Sequence, residues 1–179
     1  MKKVEGADGF WETRLQQVML FLCRHPEQEF YGLEIAKKSG VTRSAANYAL
    51  RDLAERGWVQ QERRGRMSFY RARLGHPLVR QVKVLDTLIG LDPVWKRLFP
   101  LSERVVLFGS AAEGRNVQES DLDLLVVTNR PEEVKRAVRG FPGALQVIVK
   151  DPLGWAKMAK SDPAFVREAE RGVVLWQKP

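Results

Sequence analysis

Hydrophobic positions recur at helical spacing in the first third of this chain, alternate briefly after it, and return later as short β-branched runs set between capped helices. Trp11 to Cys23 is apolar-periodic and predicts a helix, Tyr31 to Ser39 a second that stops at Gly40, and Thr42 caps a third that runs to Arg56 and ends at Gly57. Trp58 to Glu62 and Met67 to Arg73 then read as two strands joined by RRGR, with Gly65 in the turn and arginines at the tip. A helix follows from Pro77 to about Ile89, and LDPVWKRLFPL (Leu91 to Leu101) predicts a short one closed by Pro100. Val105 to Phe108 has the apolar, β-branched character of a buried strand and breaks at Gly109-Ser110; Asp121 and Asp123 open the next strand. Helices over Pro131 to Arg139, Pro152 to Lys160 and Pro163 to Arg171 and strands over Ala144 to Lys150 and Val173 to Trp176 complete the reading. Asp-Pro recurs at 92, 151 and 162, each time before a helical stretch, with Asp suited to the N-cap and Pro to the first helical position. The fold class is α+β, in two domains, 1–90 and 91–179, joined without a Gly/Ser-rich linker and so expected to keep a fixed relation.

The chemistry concentrates in VVLFGSAAEGRNVQESDLDLLVVT, Val105 to Thr128. At Gly109-Ser110 the missing side chain lets backbone N–H groups approach a phosphate, and Ser110 adds a hydroxyl. Asp121 and Asp123, two apart on a strand, put both carboxylates on one face, while Leu122, Leu124 and Val126 take the other. Two adjacent anions repel unless a divalent cation bridges them, which is how two-metal phosphoryl chemistry uses such pairs.

The ordered set Gly109, Ser110, Gly114, Ser120, Asp121 and Asp123 between two apolar strands resembles the signature of the nucleotidyltransferase superfamily with the DNA polymerase β type of fold, especially its minimal stand-alone members. The resemblance covers about residues 100 to 176. It implies a mixed sheet flanked by helices, a triphosphate held by Gly109 and Ser110, and Mg²⁺ (or Mn²⁺) held by Asp121 and Asp123, the catalytic pair. Members that catalyse transfer carry a third carboxylate on the next strand, where it helps hold the ion and activates the attacking hydroxyl. The matching position here is Gln146, a neutral amide that cannot act as a base. Asp151, the nearest acid, reads as a helix cap.

Charge separates the halves. Residues 1 to 100 hold 18 Lys and Arg against 11 Asp and Glu, and residues 101 to 179 hold 12 against 11, so the basicity belongs to the first half. Between residues 42 and 73 stand Arg43, Arg51, Arg56, Arg63, Arg64, Arg66, Arg71 and Arg73. Arginine binds phosphate bidentately and stacks on bases, so this surplus points to nucleic acid. Three helices, a hairpin and a further helix, with VTRSAANYALRDLAERGWV as third helix and exit, resemble the winged helix-turn-helix family of DNA-binding domains. On the 3.6-residue period Ala46, Leu50 and Leu53 face the core. The resemblance implies that Arg43, Ser44, Asn47, Tyr48 and Arg51, opposite them, read the major groove of double-stranded DNA, and that Arg63, Arg64 and Arg66 meet phosphates from the wing tip.

No apolar run approaches the ~18 to 20 residues of a membrane span, and MKKVEGADGF lacks the apolar centre of a signal peptide, so a soluble, cytoplasmic setting without membrane attachment is expected. Cys23 is the only cysteine and sits in an apolar run, which predicts a buried, inert thiol; His25 and His76 are too far apart to suggest zinc. Trp155, Phe165 and Trp176 read as core residues. Two functions fit. One is an enzyme that moves a nucleotidyl group from NTP to a protein or nucleic-acid hydroxyl. The other is a transcriptional regulator whose second domain senses a nucleotide or binds a partner without turnover. Small members of the resembled superfamily are often paired with a toxin-like RNase that they neutralise, so that partner belongs to both readings; the sequence leaves the oligomer open, a homodimer being one option because two half-sites multiply affinity.

Overall fold

The computed structural model describes residues 10–117, 119–141 and 144–179, so the opening MKKVEGADG lies outside it. The chain divides into two compact units, the first ending at Asp86 and the second running from Thr87 to Pro179.

In the N-terminal unit α1 (Arg14–Arg24) is started by a capping box: Thr13 accepts from the Gln16 backbone N–H while the Gln16 side chain returns to the Thr13 N–H. The helix therefore begins three residues later than the apolar period alone implies. A two-residue strand, β1 (Phe30–Tyr31), precedes α2 (Gly32–Ser39), which ends at Gly40 with φ +73°. α3 (Arg43–Glu55) starts where Thr42 accepts from the Ala45 N–H. β2 (Val59–Arg64) and β3 (Met67–Ala72) pair in register from Val59↔Ala72 to Arg64↔Met67. That leaves Gly65-Arg66 as a two-residue loop. Of these only Gly65 has positive φ, at +60°, as a type II′ hairpin requires at its first loop position. β1 pairs with β3, giving a small antiparallel sheet in the order β1-β3-β2. Val18, Leu22, Ile35, Ala46, Leu50, Leu53, Val59 and Val79 form the core on which helices and sheet close.

α4 (Pro77–Leu98) is one helix where the sequence predicts two. Pro93 inside it forfeits a helical hydrogen bond and costs about 3 kcal/mol. Leu91, Val94 and Leu98 are buried around it, and at about 1.5 to 3 kcal/mol each they outweigh that cost. Asp92 is accordingly no cap; its carboxylate accepts from Trp95 Nε1 at 3.0 Å and Lys96 Nζ at 2.7 Å.

The C-terminal unit is built on a mixed sheet of β4 (Arg104–Phe108), β5 (Leu122–Val127), β6 (Leu145–Lys150) and β7 (Val173–Gln177), in the order β6-β5-β4-β7. β5 is antiparallel to β4 and parallel to β6, and β7 runs antiparallel along β4. Alternation divides the strands between two faces. Val105, Leu107, Leu124 and Val126 pack with Leu91, Val94 and Leu98 of α4 and Val134 of α6 (Pro131–Ala137). Val106, Phe108, Leu125 and Val127 pack against Trp155 of α7 (Pro152–Ser161) and Phe165 and Ala169 of α8 (Pro163–Glu170). Asp151 and Asp162 cap α7 and α8, accepting from Gly154 N at 2.7 Å and Phe165 N at 3.1 Å. Trp155, Phe165 and Trp176 are partly buried members of these clusters. No helix among the described residues is long and apolar enough to cross a membrane.

Candidate nucleotide site and nucleic-acid surface

β4 ends at Phe108, and the chain turns at Gly109 into a single helical turn, α5 (Gly109–Ala112). Gly109 has φ +68°, and a Cβ there would stand 2.7 Å from Oδ2 of Asp123. Glycine is required twice over, by the left-handed backbone and by the carboxylate pressed against it. The register explains the approach, since Phe108 is the cross-strand partner of Asp123. Asp121 is exposed and precedes β5, which begins at Leu122, rather than lying within the strand. Between α5 and β5 the loop closes on itself: Ser120 Oγ accepts from Val117 N at 2.8 Å, and Ser120 N donates to Val117 O at 3.0 Å. Gly114 turns at φ +66°, and Ser110 supplies its backbone carbonyl to Arg115 N at 2.8 Å.

On the other side of Asp123 its partner in β6 is Gln146, exposed and on the sheet face that carries α7 and α8. Asp123 is thus flanked across the sheet by the Gly109 turn and by an amide. Its carboxyl is held above the ordinary carboxylate range, first by burial and then by the negative charges of Asp121 and Glu168. Glu168, on α8, lies far along the chain from the Asp pair, and no local sequence pattern announces its influence. Asp151 is committed to capping α7.

Among the described residues no three His, Cys, Asp or Glu side chains are grouped to hold a metal ion. Two carboxylate groups and a close backbone turn nonetheless suit a hard cation such as Mg²⁺, which typically takes one or two protein carboxylates and fills its remaining positions with phosphate oxygens and water. The space that a Cβ at Gly109 would fill lies beside the same carboxylate oxygen.

The candidate nucleic-acid surface lies on the N-terminal unit. α3 buries Ala46, Ala49, Leu50 and Leu53 and leaves Arg43, Ser44, Asn47, Tyr48 and Arg51 exposed, Tyr48 by 67%. The Arg51 guanidinium lies 5.3 Å over the Tyr48 ring. At the wing the three arginines differ. Arg63 and Arg66 are exposed, whereas Arg64 forks onto Glu62 at 2.8 Å, reaches Glu29 at 2.7 Å and covers the Phe69 ring at 4.9 Å. Its charge is answered within the protein.

Comparison with known proteins gives a separate description of each part. The nucleotidyltransferase domain family model matches residues 90–170, and the IclR helix-turn-helix domain model matches residues 18–63. No curated protein matches the chain. One similar solved structure is that of a candidate nucleotidyltransferase from Sulfolobus solfataricus, 24% identical, covering 55% of this chain and 84% of that one at a TM-score of 0.33. Another is TrmBL2, an archaeal chromatin protein with a novel mode of DNA binding, 17% identical over 92% of this chain and 73% of that one at a TM-score of 0.32. Both TM-scores are too low for either likeness to bear on how this chain acts. The two family matches, on the strand pattern and the three-helix unit described above, make this chain an IclR-type helix-turn-helix domain fused to a nucleotidyltransferase domain.

Proposed function

We propose that the chain is a DNA-binding protein whose C-terminal unit binds a nucleoside triphosphate together with Mg²⁺ or Mn²⁺. The single observation that carries the nucleotide reading is the contact at Gly109, where a glycine-only turn meets the Asp123 carboxylate with Asp121 just ahead of it. Asp121 and Asp123 would hold the ion, and the backbone N–H groups of Gly109 and Ser110 would approach the phosphates. A bound Mg²⁺ supplies neutralisation of the triphosphate and polarises it toward attack. Duplex DNA is assigned to the exposed side of α3 and to Arg63 and Arg66 of the wing, because of their positive charge and exposure.

Gln146 favours a second reading, a regulator that binds nucleotide without efficient transfer. Its amide faces the site from the partner position of Asp123, and it can give or accept a hydrogen bond but cannot take a proton from an attacking hydroxyl. The test is incubation of the parent and of Gln146→Asp with each labelled NTP and Mg²⁺, offering the chain itself, nucleic acid and the products of neighbouring genes as acceptors. General-base help contributes roughly 10² to 10⁴ in rate, so label transfer by Gln146→Asp should exceed that of the parent by about that factor. Fast transfer by the parent, unchanged in the variant, would sink the regulator reading.

A further inference from the structure

Between the second half of α3 and the wing lies an open cleft of about 650 Å³. Its floor is Val59, buried, with half-buried Tyr70 beside it; Arg51 and Glu55 enter from α3, Gln61 from β2, and Arg73 from the chain just past β3. Among the described residues neither Arg51 nor Arg73 pairs with a carboxylate, although other arginines of this unit do: Arg24 with Asp86, Arg56 with Asp52 and Arg64 with Glu62 and Glu29. Arg51, whose guanidinium lies over the Tyr48 ring, and Arg73 line one cleft from different elements, and with neither paired to a carboxylate both can donate to an anion that accepts several hydrogen bonds.

The remaining groups narrow the ligand. A bare run of phosphodiesters would meet the Glu55 carboxylate and be repelled by it. A ligand that carries hydroxyl donors beside its phosphates would satisfy Glu55 and Arg51 together. Gln61 has given an amide N–H to Ser68 at 3.1 Å and keeps its carbonyl as an acceptor, while the half-buried Tyr70 offers an aromatic surface to a planar ring. The volume is that of an ordinary small-molecule pocket. We propose that this cleft binds a free ribonucleotide, phosphates toward Arg51 and Arg73 and ribose hydroxyls toward Glu55, and that occupancy displaces DNA because Arg51 belongs to the surface assigned to the duplex. The chain then answers nucleotide concentration at the DNA-binding unit itself, independently of the Asp121 and Asp123 site. The displacement step rests on the DNA-binding reading; the binding step does not.

The full-length protein is titrated with ATP in EDTA, which withholds the cation from the aspartate pair, by calorimetry and by displacement of a labelled random-sequence duplex followed by fluorescence anisotropy. ATP should bind and should displace the duplex competitively, adenosine should do neither, and inorganic triphosphate should need a markedly higher concentration. Arg73→Gln should weaken ATP about tenfold or more, the loss expected for charge-assisted hydrogen bonds to phosphate, with a much smaller effect on the duplex. Glu55→Gln, which keeps the side-chain shape, should weaken ATP, whose ribose loses its acceptor, but tighten inorganic triphosphate, which is freed of a repelling carboxylate. ATP affinity that Arg73→Gln leaves unaltered, or inorganic triphosphate matching ATP, would overturn the cleft assignment. A parent that binds ATP in EDTA yet no duplex would retain the cleft and discard the DNA reading; one that binds duplex but no ATP would do the reverse.

Discussion

Gly109→Ala probes the contact on which the proposed nucleotide site rests. Alanine at φ +68° costs about 1 to 2 kcal/mol for the left-handed backbone alone. Its Cβ would also stand 2.7 Å from Asp123 Oδ2, but only 3.6 Å from Cγ and 3.8 Å from Cβ, so rotation of the carboxylate relieves most of the overlap. The steric share in stability should therefore fall near the low end of overpacking costs, about 1 kcal/mol. The displaced carboxylate should be felt more in binding, where loss of a charge-assisted contact is worth about 1.5 to 3 kcal/mol, or roughly 10- to 150-fold in Kd. Urea denaturation with unchanged slope gives the stability term, and repeating it in an Asp123→Ala background separates the two causes. Gly109→Ala should then cost only the backbone share of about 1 to 2 kcal/mol, leaving a coupling of about 1 kcal/mol. Equal costs in both backgrounds, together with unaltered Mg²⁺-NTP affinity, would show that the turn and the carboxylate do not form one site.

Three further outcomes follow from the electrostatics and burial. Replacing Arg63 and Arg66 with Ala should flatten the salt dependence of duplex binding by up to ~0.9 per lost phosphate contact, whereas Arg64→Ala, whose guanidinium is held by Glu62 and Glu29, should leave that slope nearly unchanged; a large effect of Arg64 alone would reverse the ranking. Cys23 is 1% exposed, and burial pushes its thiol up to about 12, with the Lys83 charge offsetting part of the shift, so it should resist disulfide reagents at neutral pH until the protein unfolds. Because the Asp123 carboxyl is raised in the folded state, its protonated form stabilises the fold below the unfolded carboxylate's pKa, and that contribution is lost as pH rises through the folded value. In metal-free buffer Asp123→Asn should therefore gain stability over the parent as pH rises through this window and gain none well below it; a gain independent of pH would refute the charge argument.

Most of the N-terminal unit was legible because its signals are local. Thr42 and Gly57 bracket α3, and the 3.6-residue period separates the buried Ala46, Leu50 and Leu53 from the exposed Arg43, Asn47 and Arg51. Two apolar residues carry no periodicity, so β1 was invisible until paired with β3. The break expected near residue 90 relied on Asp92-Pro93 acting as a helix start, and the buried Leu91, Val94 and Leu98 overrode it. At the candidate site, Gly109 and the aspartates stood out by type and spacing, but the pressing of Asp123 against Gly109 depends on the β4 and β5 register. The influence of Glu168 and the engagement of Arg64 by Glu29 are tertiary and have no signature in the neighbouring sequence.

The proposed hold of Asp121 and Asp123 on the cation that brings a nucleoside triphosphate to the Gly109 turn is tested most directly by the melting temperature of the parent and of the Asp121→Asn, Asp123→Asn double variant, each with NTP alone and with NTP plus Mg²⁺. A ligand at 100 times its Kd stabilises the folded state by about 2.7 kcal/mol, so the parent should gain several degrees on addition of Mg²⁺. The double variant should keep only whatever NTP alone provides. An equal Mg²⁺-dependent rise in both proteins would contradict the account.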